Sequence, residues 1–288
     1  MTATQLLVVT AHPDDEVTNF GGLIYLTAHT GARVTLVCAT RGEMGEIADP
    51  ALATPETLGR VREGELRAAC AILGIAELRF LDYRDSGMAG TVPNEDPRAF
   101  MRARADEVLR RLVAIIRELR PAVVATFDPT GGSGHPDHMA ANRHATAAFD
   151  LASQHALPEC GPPHAPAALY YAARPAGLRE EARAELAARG VSVPEARPIN
   201  GLRDAERSPI TVTVDVMGAL EAKRAARAAH RTQVSPMSQV HLLSDGLQRR
   251  FTGTEYYHRA RPVWRPGDDD DLLLRLLALA PTVGQQPR

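Results

Sequence analysis

Two short apolar runs near the N-terminus constrain the fold more than any other part of the chain. Residues 5–11 (QLLVVTA) and 33–39 (RVTLVCA) are rich in Val and Leu, and such runs are typical of strands buried on both faces. Between them, Pro13 suits the first turn of a helix and Gly31 suits its end. A strand, a helical crossover and a second strand form a βαβ unit with parallel strands and a right-handed connection. We therefore predict an α/β fold.

The alternation of strand-like and helix-like segments continues along the chain. Strands are predicted at residues 78–81, 122–127, 168–172 and, as the last one, 210–214. Helices are predicted at residues 58–73, 98–119, 138–154, 178–189, 215–230 and 272–279. This order predicts a Rossmann-like, mostly parallel sheet flanked by helices, with a smaller C-terminal α/β extension. We expect residues 1–155 to form the catalytic core and residues 156–288 to complete the sheet and the substrate pocket, within one compact domain.

Composition narrows the classes of partner and the compartment. A formal net charge of -2 gives no electrostatic reason to expect nucleic acid or an anionic membrane as a partner, whereas a small polar substrate fits. Three widely separated cysteines without a C-x-x-C motif argue for a reducing compartment, and Cys38 falls in a predicted buried strand. The N-terminus lacks the pattern of a signal peptide, and no apolar run reaches the roughly 18 residues of a spanning helix. We expect a cytoplasmic protein.

Two nearly identical motifs carry the chemistry. Residues 12–15 (His-Pro-Asp-Asp) and 135–138 (His-Pro-Asp-His) each follow a strand-like run and open a helix-like one. Ligands in open α/β sheets bind at the carboxyl ends of strands, where both motifs lie. His12 and Asp15 are three residues apart, as are His135 and His138, so each pair can turn toward one point. Zinc hydrolases use three such nitrogen or oxygen ligands, a water and a base.

A carboxylate in the first turn of a helix needs no functional explanation, because unpaired N–H groups and the helix dipole favour it there. Asp14 and Asp15 could therefore be an ordinary helix start, but His135 and His138 gain nothing from such a position. The second motif thus favours a shared metal site. Two histidines and one carboxylate also match the facial triad of non-haem iron oxygenases, which leaves Fe²⁺ open. Asp14, which is not needed as a ligand beside Asp15, can act as a base in hydrolysis, whereas oxygenation chemistry has no role for it.

Residues 11–16 (AHPDDE) and 134–138 (GHPDH) resemble the LmbE-like (PIG-L) family of zinc-dependent N-acetylglucosaminide deacetylases. The likeness spans roughly residues 5–150 and is specific, because two separated motifs agree in order and spacing. It is closest to the mycothiol-pathway branch of deacetylases and amidases, which acts on glucosaminyl-inositol compounds. The segments similar to that branch are 42–46 (GEMGE), 62–66 (REGEL), 84–90 (RDSGMAG), 114–120 (AIIRELR) and, more weakly, 222–233 (AKRAARAAHRTQ).

The resemblance implies a division of tasks within the two motifs. His12, Asp15 and His138 would hold the zinc, and Asp14 would be the general base that takes a proton from a metal-activated water. That water would attack the acetyl carbonyl, and Asp14 would return the proton to the departing amine. A protonated His135 would stabilise the oxyanion.

The resemblance also implies supporting and substrate-binding residues. Asp137 joins the catalytic set as a partner that orients one of the flanking histidines, and Arg62, Asp85 and Glu46 would grip sugar hydroxyls. Taken alone, Arg62 could be a surface ion pair and Asp85 an Asx turn. His230, after an Ala-rich helix, is predicted to be a surface histidine.

The predicted activity is removal of the N-acetyl group from an N-acetylglucosamine conjugate such as a glucosaminyl-inositol. An amidase of thiol S-conjugates on the same scaffold is the alternative within this class, and a 2-His-1-carboxylate iron oxygenase is the alternative from another class. A nucleotide-binding sheet is disfavoured, since carboxylates follow the first strand where a Gly-rich turn would be needed. Thiol-pathway deacetylases carry a Tyr in the Gly-rich loop where this chain has Ser133. Because the serine hydroxyl has a shorter reach, the resemblance does not by itself identify the substrate.

Overall fold

One seven-stranded mixed sheet forms the centre of the part of the chain that the computed structural model describes, residues 5–191, 208–233, 240–268 and 271–278. In chain order the strands are β1 (Gln5–Thr10), β2 (Arg33–Cys38), β3 (Glu77–Phe80), β4 (Val123–Phe127), β5 (Ala168–Ala173), β6 (Val212–Asp215) and β7 (Thr254–Arg261). Their spatial order is β3-β2-β1-β4-β5-β7-β6. The first five are parallel, and β7 runs antiparallel to both of its neighbours. The predicted α/β fold with a mostly parallel sheet is confirmed.

Helices cover both faces of the sheet. They are α1 (Asp15–His29), α2 (Leu58–Leu73), α3 (Ala105–Leu119), α4 (Pro136–Ala152), α5 (Leu178–Ala188), α6 (Leu220–Ala229), α7 (Asp245–Phe251) and α8 (Leu272–Ala278). Alternate residues of β1 separate two cores: Leu6 packs with α1, α2, α6 and α8, whereas Leu7 packs with α3 and α4. Within the described ranges, no helix has the length and apolar character needed to cross a membrane.

The neighbouring strands β1 and β4 determine where a site can form. Leu6 pairs with Val123 and Val8 with Ala125, so the two strands are parallel and end at the same edge of the sheet. From this pair the chain proceeds to β2 on one side and to β5 on the other, and α1 and α4 pack on opposite faces. Such a switch point opens a crevice between the strand ends. Both histidine motifs line that crevice, because one follows β1 and the other follows β4.

Two predicted elements are present but differ from the prediction, one in its first residue and one in its place in the chain order. The helix predicted at 98–119 begins at Ala105, because the preceding Phe100 is buried in a short 3-10 turn against the rings of Tyr83 and His144. The strand predicted as the last is followed by β7, which lies between β5 and β6. Its buried positions include Glu255 and Arg259, so the apolar alternation that identifies a strand is interrupted. Of the helix predicted at 272–279, the last residue lies outside the described residues.

Arg117 anchors the C-terminal end of α4. This residue of α3 is 2% exposed, and its guanidinium donates hydrogen bonds to six backbone carbonyls, those of Leu151, Ala152, Gln154, Ala156, Leu157 and Gly161. The last carbonyls of a helix lack intrahelical partners, and the helix dipole favours a cation beside them. Arg117 therefore fixes the helix whose other end carries His135 and His138.

Replacing Arg117 by Met should lower the free energy of unfolding by about 3 kcal/mol or more, because several buried carbonyls lose their donors at once. Chemical denaturation of the purified variant measures this change. The matched control is Arg120→Met. Arg120 directly follows α3, is exposed, and its side chain makes one hydrogen bond of 3.4 Å, to Pro163 O. The control should stay within about 0.5 kcal/mol of the parent. Equal losses in both variants would refute the anchoring role of Arg117.

Candidate active site

Donor atoms of three residues converge in the crevice between β1 and β4, with Asp15 contributing both of its oxygens. His138 Nε2 lies 3.2 Å from His12 Nδ1 and 3.2 Å from Asp15 Oδ1, and His12 Nδ1 lies 3.6 Å from Asp15 Oδ2. Ligands of a tetrahedral zinc ion, each about 2.0–2.1 Å from the metal, are about 3.3–3.4 Å apart. The triangle of His12, Asp15 and His138 therefore has the size of one face of such a coordination sphere.

The hydrogen bonds on the outer side of each ring direct a lone pair into this triangle. His138 Nδ1 lies 3.0 Å from Gly131 O, which can only accept, so the proton is on Nδ1 and Nε2 carries a lone pair. His12 Nε2 lies 3.2 Å from Asp137 Oδ2 and 3.4 Å from Asp85 Oδ1, which leaves Nδ1 as its inner lone pair. Two lone pairs that face each other repel unless a proton or a metal cation lies between them. The donor set therefore fits a divalent metal ion.

The charges around His12 favour a cation in the same place. Although burial opposes a charged ring, Asp85, Asp137 and Asp15 together raise the pKa of His12 well above its usual value. Burial also opposes ionisation of Asp15, yet His138 and His12 hold the pKa of that carboxyl well below its usual range. A site in which buried carboxylates outnumber permanent cations stabilises added positive charge.

His135 lies beside this triangle as the first residue before α4. Its ring centroid is 4.5 Å from that of His12 and 5.1 Å from that of His138, and its Nδ1 accepts a hydrogen bond of 3.2 Å from Asp137 N. The three histidines also offer nitrogen atoms within 4.8 Å of one another. Burial, His12 and His138 lower the pKa of His135 to about 3, so the expectation of a protonated ring does not hold. The neutral ring carries its proton on Nε2.

The side chain of Asp14 does not cap the N-terminus of α1, where this residue lies. It occupies the N-cap of α1 but makes no capping hydrogen bond; instead Asp15 Oδ2 accepts from Ala11 N and His12 N, and Glu16 Oε2 accepts from Asp14 N. Its φ of 93° is left-handed, a conformation that costs a residue other than glycine roughly 1–3 kcal/mol and often marks functional sites. The structure thus argues against the ordinary interpretation of Asp14 as a helix cap.

Arg62 supports Asp14. It is 3% exposed and donates to Pro13 O at 2.5 Å, to Gly42 O at 2.8 Å and to Asp14 Oδ2 at 3.3 Å. A Cβ atom on Gly42, whose φ is +66°, would overlap the guanidinium, which explains the glycine. Burial raises the pKa of Asp14, Arg62 lowers it and Asp15 raises it again, with a net upward shift.

Asp85 and Asp137 approach His12 from the side opposite the triangle. Asp85 is 3% exposed; its Oδ1 accepts from Gly87 N at 2.8 Å and its Oδ2 from Met44 N at 3.1 Å. Asp137 is fully buried and accepts hydrogen bonds from both the backbone N–H and the hydroxyl of Ser86. The two carboxylates orient the His12 ring, and Ser86 orients Asp137.

Glu46 and Ser133 lie at the margin of the site. Glu46 is exposed, and its carbonyl accepts a hydrogen bond of 2.7 Å from Gln233 Nε2. Ser133 is half-buried on the Gly-rich turn, with its hydroxyl 3.5 Å from Gly131 O. The structure therefore brings together eight of the nine predicted site residues: His12, Asp14, Asp15, Arg62, Asp85, His135, Asp137 and His138.

Sequence reasoning gave no role to four buried residues behind Asp14, namely Glu16, Glu65, His230 and Thr232. His230 was predicted on the surface, but it is 2% exposed and its Nε2 lies 2.7 Å from Glu16 Oε1. Burial by itself would lower the pKa of His230, but the neighbouring Glu16 carboxylate raises that pKa above its usual value. Glu65 accepts hydrogen bonds from the N–H and the hydroxyl of Thr232. The resemblance of segment 222–233 to one branch of the family was the only signal for this region.

The chain is similar to known proteins over most of its length. The family model described as PIG-L, GlcNAc-PI de-N-acetylase, matches residues 7–149. A protein of Geodermatophilus obscurus named 1D-myo-inositol 2-acetamido-2-deoxy-alpha-D-glucopyranoside deacetylase is 40% identical over 94% of this chain and 98% of its own. A protein of Streptomyces avermitilis with the same name is 43% identical over 89% of this chain and 92% of its own.

Solved structures share the fold at lower identity. The N,N'-diacetylchitobiose deacetylase from Pyrococcus horikoshii superposes with a TM-score of 0.61 and 19% identity, covering 90% of this chain and 84% of that one. The conserved protein TT1542 from Thermus thermophilus gives a TM-score of 0.60 at 24% identity, with coverages of 92% and 99%. At this level of identity the likeness concerns the fold alone.

Replacing His138 by Ala should weaken zinc binding at least about 100-fold, because it removes one corner of the donor triangle. Titration of the metal-free protein with zinc against a chromogenic chelator measures the affinity. His144→Ala is the matched control, since His144 is a buried histidine of the same helix that packs on Phe100 outside the triangle. The control should bind zinc like the parent. Parent-like binding by His138→Ala would show that the donor triangle is misassigned.

Proposed function

The chain belongs to the PIG-L (GlcNAc-PI de-N-acetylase) family and is an amide hydrolase, and we propose that it removes the N-acetyl group from a glucosaminyl-inositol-like N-acetylglucosamine conjugate. Relatives about 40% identical over nearly the whole chain carry deacetylase names that specify such a substrate. The single observation that carries the mechanism is the carboxylate of Asp14, which does not cap its helix, is 32% exposed and belongs to the residue directly before Asp15 of the donor triangle. The oxygenase alternative has no support among these relatives.

We propose that His12, Asp15 and His138 hold a Zn²⁺ ion. When bound, such an ion supplies a Lewis acid that acidifies a water molecule and polarises the acetyl carbonyl. Two imidazole nitrogens and one carboxylate also suit Fe²⁺, which is the alternative metal. Asp137 and Asp85 keep the His12 ring in the tautomer that presents Nδ1 to the metal.

Asp14 acts as the general base in this proposal. Its side chain is 32% exposed, so solvent and substrate can reach it, and Arg62 holds one carboxylate oxygen in place. Asp14 would take the proton of the attacking water and deliver it to the leaving amine nitrogen, so one group serves both steps.

His135 would stabilise the oxyanion. Because its Nδ1 accepts from Asp137 N, its Nε2–H is the group that can donate to the negatively charged oxygen of the tetrahedral intermediate. A neutral donor suffices for this task, since backbone N–H groups perform it in other hydrolases. Ser133, half-buried on the neighbouring turn, offers a hydroxyl as a second donor near this side of the crevice.

We propose roles for Arg62 and Asp85 that differ from the sequence-based expectation of sugar binding. Arg62 and Asp85 use most of their polar atoms within the protein, so we propose that they support Asp14 and His12 instead of gripping a sugar. Glu46 stays a candidate because its side chain is exposed. A hollow of about 540 Å³ beside Asp85, lined in part by Glu43 and Arg84, offers space for a hydroxylated aglycone.

All three cysteines are free thiols, which supports the proposed cytoplasmic location. The assignment of catalytic groups to residues 1–155 and of pocket-completing groups to 156–288 stays a prediction. His230 and Thr232 from the second part do contact Glu16 and Glu65 behind Asp14.

The test of the function is an assay of amine release by the purified protein. Metal content is measured first, and the panel includes an N-acetylglucosaminyl-inositol, other N-acetylglucosaminides and a thiol S-conjugate. We expect one free amine per acetate released from the inositol glycoside, loss of activity after chelation and recovery with Zn²⁺. Cleavage of the S-conjugate without deacetylation of any glycoside would replace the deacetylase by the amidase.

Asp14→Asn should lower kcat by about 10²–10⁴-fold, because the amide cannot accept the proton, while the bound metal stays equal to the parent's. Steady-state kinetics and metal analysis of the same preparation measure both quantities. The control is Asp215→Asn, since Asp215 is a surface carboxylate, 58% exposed, that pairs with Arg249. Full turnover by a metal-loaded Asp14→Asn protein would rule out Asp14 as the base.

A further inference from the structure

The peptide unit between Pro13 and Asp14 is held at both of its polar groups. Arg62 Nη2 donates to Pro13 O at 2.5 Å, and Asp14 N donates to Glu16 Oε2 at 2.9 Å. Rotation of this unit would change φ of Asp14, which is 93°. The two hydrogen bonds therefore maintain the left-handed conformation of Asp14, in which its carboxylate makes no capping hydrogen bond to α1.

Glu16 is itself held by a residue from the far end of the chain. It is fully buried, and its second oxygen, Oε1, lies 2.7 Å from Nε2 of His230, 214 positions downstream. A buried carboxylate needs a hydrogen-bonding or charged partner to stay in one orientation. His230 supplies that partner and is only 2% exposed.

The segment that contains His230 is fixed to the rest of the site. Thr232 donates to Glu65 of α2 through its N–H at 2.8 Å and its hydroxyl at 2.6 Å, and its carbonyl accepts from Ala48 N at 3.0 Å. Arg62 also belongs to α2. The two side chains that hold the Pro13–Asp14 peptide are therefore both connected to α2, Arg62 directly and Glu16 through the segment of His230 and Thr232. The position of His230 is thus coupled to the geometry of Asp14.

We propose that His230 is a positioning residue for Asp14: it orients Glu16, and Glu16 holds the Asp14 N–H in the conformation that directs the carboxylate into the crevice. This inference rests on the proposed role of Asp14 as the base. His230 does not touch the substrate in this scheme. Its loss should slow the chemical step and leave substrate binding and metal binding unchanged.

A purely structural role for His230 is the competing explanation, and the chain offers a matched control for it. Lys223 also comes from the C-terminal part, is 9% exposed, and pairs at 2.6 Å with the buried Glu255, whose carboxylate accepts from Gly22 N and Leu23 N of α1. This ion pair holds the middle of α1, whereas His230 holds its start. Lys223→Met should therefore lower thermal stability without moving Asp14.

The experiment compares His230→Leu, His230→Gln and Lys223→Met with the full-length parent. We expect His230→Leu to reduce kcat about 100-fold with KM and bound zinc unchanged, since small displacements of a catalytic group have effects of that size. His230→Gln keeps an N–H donor of similar reach and should restore most of the activity. Lys223→Met should keep kcat within about twofold of the parent despite a lower melting temperature. If His230→Leu does not fold, His230→Asn, too short to reach Glu16, replaces it.

A folded His230→Leu protein with parent-like kcat would overturn the proposal, as would equal losses of kcat in His230→Leu and Lys223→Met. If the parent itself deacetylates no glycoside, the proposed function fails, and crystal structures then decide the positioning role separately. The positioning role is supported if Asp14 has a left-handed φ in the parent and a changed φ or carboxylate position in His230→Leu. An unchanged Asp14 in the variant refutes it.

Discussion

The parallel pairing of β1 with β4 is the constraint on which the rest of this structure depends. It places the end of Gln5–Thr10 beside the end of Val123–Phe127, so histidines separated by 126 positions in the chain come within 3.2 Å. Since α1 and α4 leave these strands toward opposite faces of the sheet, their N-termini border one crevice from both sides. A shift in this pairing would separate the donor atoms of His12 and His138.

Around that pairing, each reactive group is hydrogen-bonded by a second residue that is itself buried. Asp137 orients the ring of His12, and Ser86 orients Asp137. Arg62 and Glu16 hold the peptide of Asp14. Such layered support is how a crevice lined by several carboxylates and imidazoles stays ordered, because any unpaired buried charge would otherwise move toward solvent or change its protonation.

Local patterns predicted the parts of the fold that depend on local chemistry. The runs around β1, β2 and β4 are apolar because both faces of these strands are covered, and the helix at 58–73 ends at Gly74 as its sequence indicates. The strand β7 was missed because Glu255 and Arg259 occupy buried positions, where they bind α1 and Asp268. Periodicity cannot identify a strand whose buried face is charged and satisfied by distant partners.

The sequence by itself determined the donor types, their spacing within each motif and the parallel sheet that unites the motifs, because these follow from side-chain chemistry and from the periodicity of neighbouring residues. Only the tertiary structure decided that Arg62 and Asp85 face inward, that burial beside two other histidines lowers the pKa of His135, and that His230 reaches Glu16. Burial and hydrogen-bond partners depend on segments far apart in the chain, and no local pattern records which of them will meet.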